Sequence, residues 1–127
     1  MLSAKYQQFY DDLRTVIPDT RLFNDPLRTL TYGTDASFYR LIPKIVVKAD
    51  SETEVSRILQ TADQRDIPVT FRAAGTSLSG QAVTDSVLVL CGGNLNACDI
   101  LGNGTRIRLE PGVIGGQAIR YLAPFVR

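Results

Sequence analysis

Apolar residues recur at spacings of three and four near the amino end. Tyr6, Phe9, Tyr10, Leu13 and Ile17 fall on one stripe, which predicts an amphipathic helix over 3–17. Ser3 stands at the N-cap position and Pro18 stops the helix. The pattern loosens from Asp19 to Leu41, where Asn24-Asp25-Pro26 and Tyr32-Gly33-Thr34-Asp35 are turn signals. Within this stretch Tyr32, Phe38 and Tyr39 suit either of two roles, packing beneath a ligand or holding the segment to the core.

A β-α-β passage begins at Pro43. Lys44–Ala49 is a short β-branched strand, and Ser51-Glu52-Thr53-Glu54 spells a capping box with Ser51 as N-cap and Glu54 three residues on. Val55, Ile58, Leu59 and Ala62 form the expected buried face of the helix, which ends near Asp66. Val69–Arg72 is the next strand, and the separation of the two strands fits a crossover helix, so a parallel pair is the economical topology. Ser86–Cys91 is almost wholly apolar, as expected for a strand covered on both faces. Arg106–Glu110 alternates like a half-exposed strand with Arg106 and Arg108 on its wet side. Residues 115–122 suit a short helix burying Ala118, Ile119 and Leu122, with Pro124 interrupting it.

These elements predict an α/β fold: a small mixed or partly parallel sheet with flanking helices. The organisation is a helix and lead-in segment at 1–42 followed by the α/β unit at 43–127. The last residues are apolar and carry no terminus signal, so a piece of a larger protein is expected.

Composition narrows the chemistry. Apolar residues make up 44% and charged residues 21%, in the range of folded domains. Fourteen basic against thirteen acidic residues leave a formal charge of +1, with no concentrated basic field for nucleic acid. Histidine is absent, which removes the commonest metal ligand and the usual general base at neutral pH. Cys91 and Cys98 make no metal-binding set and no disulfide scaffold, so no metal site is assigned and a reducing, cytoplasmic setting is expected. The amino end lacks a signal-peptide core, and no run reaches the roughly 18 apolar residues of a membrane span.

Glycine-bearing connections follow three of the predicted strands, at 72–81, 92–94 and 111–116. In open α/β sheets ligands gather beyond the carboxyl ends of parallel strands. The segment Arg72-Ala73-Ala74-Gly75-Thr76-Ser77-Leu78-Ser79-Gly80-Gln81 stands out. Small residues let its backbone approach a ligand, its amides can form an anion-holding nest, and Thr76, Ser77 and Ser79 add hydroxyls. A tight surface loop without a ligand is the other reading of the same residues. Neither the dinucleotide fingerprint nor the P-loop pattern is present. Asp35, Arg72, Asp85 and Glu110 form no acid–base pair or nucleophile triad, so no catalytic residue is assigned. Arg72 suits either phosphate neutralisation or an ion pair that fixes the loop, while Tyr32 and Asp35 are expected to shape the pocket.

Three separated motifs carry a resemblance: Tyr32-x-x-Asp35-Ala36-Ser37-x-Tyr39-x-x-x-Pro43, then Arg72 to Gln81, then Glu110-Pro111-Gly112-Val113. Together they resemble the FAD-linked oxidases of the vanillyl-alcohol oxidase or p-cresol methylhydroxylase type, in the branch of D-lactate dehydrogenase and glycolate oxidase D-subunit-like proteins. The resemblance implies the first subdomain of a two-part FAD-binding domain, with the second subdomain and the substrate domain lying after Arg127. It implies that Arg72, Ala73, Ala74, Gly75, Thr76, Ser77, Ser79, Gly80 and Gln81 wrap the FAD diphosphate. Pro43 and Lys44 would stand at the adenine-side wall, and Pro111, Gly112 and Val113 further along the cofactor.

The family often has glycine where this chain has Ala73 and Ala74, and some relatives attach FAD through a histidine at the position of Thr76. Noncovalent FAD is therefore implied. So is an enzyme, as the parent protein, that oxidises a D-2-hydroxy acid such as D-lactate by hydride transfer to flavin. It would pass electrons to an acceptor, sit in the cytoplasm or at the periphery of the inner membrane through that acceptor, and allow an iron–sulfur cluster in its carboxyl-terminal part. The piece alone is expected to be inactive. The alternative is a noncatalytic nucleotide-binding or protein-interaction module, self-associating through Ile114, Tyr121, Phe125 and Val126.

Overall fold

The computed structural model describes residues 2–126. Helix α1 (Ala4–Arg14) buries Tyr6, Phe9 and Leu13, the stripe that the spacing predicts. Ser3 occupies its N-cap position, but the side chain makes no capping hydrogen bond. The short strand β1 (Leu22–Phe23) follows, then a helical turn α2 (Pro26–Leu30) capped by Asp25, whose carboxylate accepts from the Arg28 amide at 3.0 Å. Both are too short for periodicity to register.

The β-α-β passage is strand β2 (Ile45–Lys48), helix α3 (Glu52–Asp63) and strand β3 (Val69–Arg72). Ser51 Oγ accepts from the Glu54 amide at 3.2 Å, the N-cap half of the predicted capping box, but the Glu54 carboxylate turns to the Asp50 amide and Arg21 rather than back to the Ser51 amide. Ile58 and Ala62 are buried as expected, whereas Leu59 is 43% exposed because it lies on the solvent edge of the apolar stripe.

Strand β4 (Val87–Leu90) changes the expected topology. The order is β1-β2-β4-β3, so β2 and β3 run parallel without touching, each bonded to β4 between them. β1 pairs antiparallel with β2, which makes the sheet mixed. Alternate side chains of β2 and β4 serve two cores. Ile45, Val47, Val87 and Val89 join Phe9, Leu13, Ile17, Leu22, Ile58 and Ala62 on one face, while Val46 and Leu88 meet Phe23 on the other. Burial on both faces explains why these strands are apolar throughout. The main core draws on residues from both sides of position 42, so the lead-in helix and the α/β unit share one interior.

Beyond β4 the chain forms a separate hairpin, β5 (Cys98–Leu101) with β6 (Arg106–Leu109), followed by helix α4 (Gly115–Leu122) and a 3-10 turn at Ala123–Phe125. β5 escapes sequence reading because Cys98-Asp99-Ile100-Leu101 has no clean alternation. α4 buries Ala118 but leaves Ile119 70% exposed, contrary to expectation, since only one side of this helix meets the hairpin. Among the described residues no helix is long and apolar enough to cross a membrane, and no group of residues is arranged to hold a metal ion.

Candidate functional site

Because β2, β4 and β3 are parallel, their carboxyl ends open onto one edge. Three connections meet there: the turn after Lys48, the loop after Arg72 and the Gly92-Gly93 turn after Leu90. Between them lies a cleft of about 430 Å³ lined by Arg21, Tyr32, Lys48, Asp50, Arg72 and Ala73, among others. A second cleft of about 470 Å³ shares Ala73, Ala74 and Gly92 with the first and is walled by Thr76 and by Pro111, Gly112 and Val113. Tyr32 of the first motif and Pro111, Gly112 and Val113 of the third therefore meet the second motif, the 72–81 loop. Gly112 makes this approach possible: its amide donates to Leu95 O at 2.7 Å, and a Cβ there would come within 2.6 Å of that oxygen.

The 72–81 loop is ordered from inside. Gly75 and Gly80 have φ of +71° and +74°, the left-handed region that glycine adopts without cost. Ser77 Oγ accepts from the Ser79 amide at 3.3 Å and the Gln81 amide at 3.1 Å and donates to Gln81 Oε1. Ser77 and Gln81 are thus engaged with each other, a role that residue type alone does not reveal. Among the described residues, no protein acceptor meets the amides of 73–78 or of Gly80. Backbone donors clustered in a turn that mixes negative and positive φ are the physical basis of an anion nest. The hydroxyls of Thr76 and Ser79 lie on the exposed side of the same turn.

Arg72 makes no ion pair among the described residues. Its Nη1 donates to Thr34 O at 2.7 Å and Tyr32 O at 3.4 Å, and the guanidinium lies 5.9 Å from the Tyr32 ring centre. It grips lead-in carbonyls, with its fixed positive charge behind Gly75. At the opposite wall Arg21 forms a two-pronged ion pair with Glu54 at 2.7 and 2.8 Å, reaches Lys48 O at 3.0 Å and stands 3.2 Å from Asp50. Glu54 Oε2 also accepts from the Asp50 amide at 2.8 Å. The Arg21 guanidinium, by hydrogen bonding, holds the Glu54 carboxyl below its ordinary range. Arg21, Lys48, Ala49 and Asp50 carry no sequence motif. Only the crossover, which stacks the ends of β2 and β3 on either side of β4, could have pointed to them.

Pro43 and Lys44 are placed elsewhere. They precede β2 at the amino ends of the parallel strands, where Pro43 is buried and the Lys44 ammonium lies against Asp85 O and 5.2 Å from the Tyr6 ring centre. The length of β2 separates them from the loop edge, so the structure does not bring them together with the other candidates.

The edge thus combines amides that meet no protein acceptor among the described residues, the cations Arg21, Lys48 and Arg72, and two clefts that share Ala73, Ala74 and Gly92. The sequence profile of the FAD binding domain family matches residues 43–126. D-2-hydroxyglutarate dehydrogenase of Escherichia coli K12 is 35% identical over 100 residues, covering 76% of this chain and 10% of that protein. Glycolate oxidase subunit GlcD of the same strain is 33% identical over 115 residues, covering 88% of this chain and 23% of that protein. The chain therefore spans between a tenth and a quarter of the length of these relatives. The crystal structure of p-cresol methylhydroxylase with substrate bound superposes with a TM-score of 0.76 at 15% identity, over 98% of this chain and 25% of that one, which shows a shared fold. With its β-α-β frame, glycine loop and profile match over more than half its length, the chain belongs to the FAD binding domain family.

Proposed function

We propose that this chain is the FAD-binding portion of a flavin-dependent oxidoreductase acting on a D-2-hydroxy acid, D-lactate or a similar compound. The observation that carries the proposal is the set of unpaired amides between Ala73 and Leu78, at the carboxyl edge of the parallel strands and open to two clefts. The names of the two bacterial relatives, both concerned with 2-hydroxy acids, support the substrate class.

In this reading the amides of residues 73–78 and 80 receive the diphosphate, and the hydroxyls of Thr76 and Ser79 supplement them. Ala73 and Ala74 keep negative φ and need no glycine. Arg72 supplies positive charge behind the loop and Lys48 supplies it at the rim, where a low-dielectric wall strengthens both. Ala49 and Asp50 border one arm of the ligand, and Pro111, Gly112 and Val113 border the other. When bound, FAD supplies the chemistry of hydride acceptance from the carbon bearing the hydroxyl. The chain's own contribution is to hold and orient the cofactor noncovalently, there being no histidine to attach it. An electron acceptor for the reduced cofactor and a cytoplasmic location belong to the same proposal.

The test is a flavin titration of this chain and of the longest polypeptide containing it. Bound oxidised flavin that bleaches on addition of a D-2-hydroxy acid is the expected result for the longer polypeptide. For the 127-residue chain weak binding without turnover is expected. A well-folded longer polypeptide that takes up no FAD would overturn the reading.

A further inference from the structure

The lead-in segment before β2 does more than connect. Thr34 and Arg40 form an antiparallel bridge, and the Leu41 amide donates to Gly33 O at 3.0 Å, so residues 34–40 make a closed tongue. This tongue lies against the 72–82 loop along its length. The Ala36 amide donates to Gly75 O at 3.1 Å, Arg72 holds Thr34 O, and Tyr39 packs on Gly80, where a Cβ would meet the ring at 2.8 Å.

One side chain connects the tongue's own turn to the far end of the loop. Asp35 Oδ1 accepts from the Ser37 amide at 2.8 Å and from Ser37 Oγ at 2.5 Å, while Oδ2 takes a longer bond of 3.4 Å from the Ala82 amide. The two oxygens of one carboxylate thus fix the tongue's turn and the exit of the loop together. The loop's other anchors are at its entrance, at Arg72, and at its middle, at Gly75 and Gly80.

We propose that Asp35 is a positioning residue for the anion-binding loop, acting through Ser37 and the Ala82 amide to hold in place the loop that carries the free amides. The inference rests on the diphosphate reading above. It also has a sign that tests it. A carboxylate beside an anion site repels the anion, so charge alone predicts that removing it strengthens binding. Positioning predicts the opposite. The structure favours positioning because both oxygens of the Asp35 carboxylate are taken up by donors of the tongue and the loop, Ser37 on one and the Ala82 amide on the other.

Amide NMR spectra of the chain, titrated with FAD and separately with inorganic pyrophosphate, decide the matter. In the wild type the amide signals of residues 73–80 should move with both ligands. In Asp35→Ala pyrophosphate affinity should fall about tenfold, and hydrogen exchange at residues 75–82 should accelerate, while amides of β2 and β4 keep their protection. Asp35→Asn retains one acceptor for Ser37 and should fall between the two. Affinity that is unchanged or higher in Asp35→Ala, with loop exchange unaltered, overturns the inference. Should Asp35→Ala lose protection throughout the sheet, Asp35→Asn and Ser37→Ala give the same comparison in a milder form. A wild type whose loop signals ignore both ligands sinks the diphosphate reading itself, and loop exchange in the unliganded variants still tests the role of Asp35.

Discussion

Gly75 shows how one residue type can serve both the fold and the site. Its φ of +71° disfavours any L side chain, and a Cβ would stand 2.5 Å from Arg72 Nε. Gly75→Ala should therefore cost about 1 to 2 kcal/mol of stability from the backbone alone. It should also displace Arg72 from Thr34 O, loosening the tongue. Urea unfolding measures the first effect, and faster exchange of the Ala36 amide measures the second. Glu54 offers a titratable counterpart. Its carboxyl is held low by the Arg21 hydrogen bonds, so its contribution is whole above the ordinary glutamate pKa and is lost as pH falls through the lowered folded value. At neutral pH Glu54→Gln should be less stable than wild type by about 2 kcal/mol, the size of a charge-assisted hydrogen bond in a half-buried setting. The difference should shrink on acidification, and urea midpoints measured across the acid range check this. A gap that persists unchanged at low pH would show that the ion pair is not its source.

At the scale of elements, legibility followed the length and regularity of the signal. The α1 stripe, the Ser51–Glu54 cap and the apolar runs of β2 and β4 were readable because periodicity, capping chemistry and two-sided burial each leave a residue pattern. β1 and α2 were not, since two and five residues carry no period. The neighbour of β3 was also hidden: two strands joined by a crossover look adjacent until a later strand proves a better partner for both. In the site, the small residues of the loop advertised themselves by composition. The internal use of Ser77 and Gln81, the grip of Arg72 on carbonyls and the Arg21–Glu54 wall depend on three-dimensional pairing across long separations. Ile119 and Leu59 are exposed for a related reason, because a helical stripe predicts which side is apolar but not how widely the neighbouring element covers it.

Taken whole, the molecule has two regions of unequal cohesion. The four-stranded sheet is sandwiched between α1 and α3 on one face and the lead-in on the other, whereas of the residues of β5, β6 and α4 only Ala118 is buried. Local opening follows contact density, so native-state hydrogen exchange should show β5, β6 and α4 opening well before β2 and β4. Uniform protection across both regions would mean that the hairpin region is held by more than the described contacts. The exposed Ile114, Ile119, Tyr121 and Val126 mark the surface of this looser region.

The central position of β4 has a consequence for biosynthesis. Until residues 87–90 leave the ribosome, β2 can bond only to the two-residue β1 and β3 has no partner at all. The walls of the cleft, one after Lys48 and the other after Arg72, then have no common support. The keystone is translated last among the parallel strands. A nascent chain stopped short of Val87 should therefore lack a recognisable binding edge, and acquisition of that edge should come as a single late step rather than by gradual accretion.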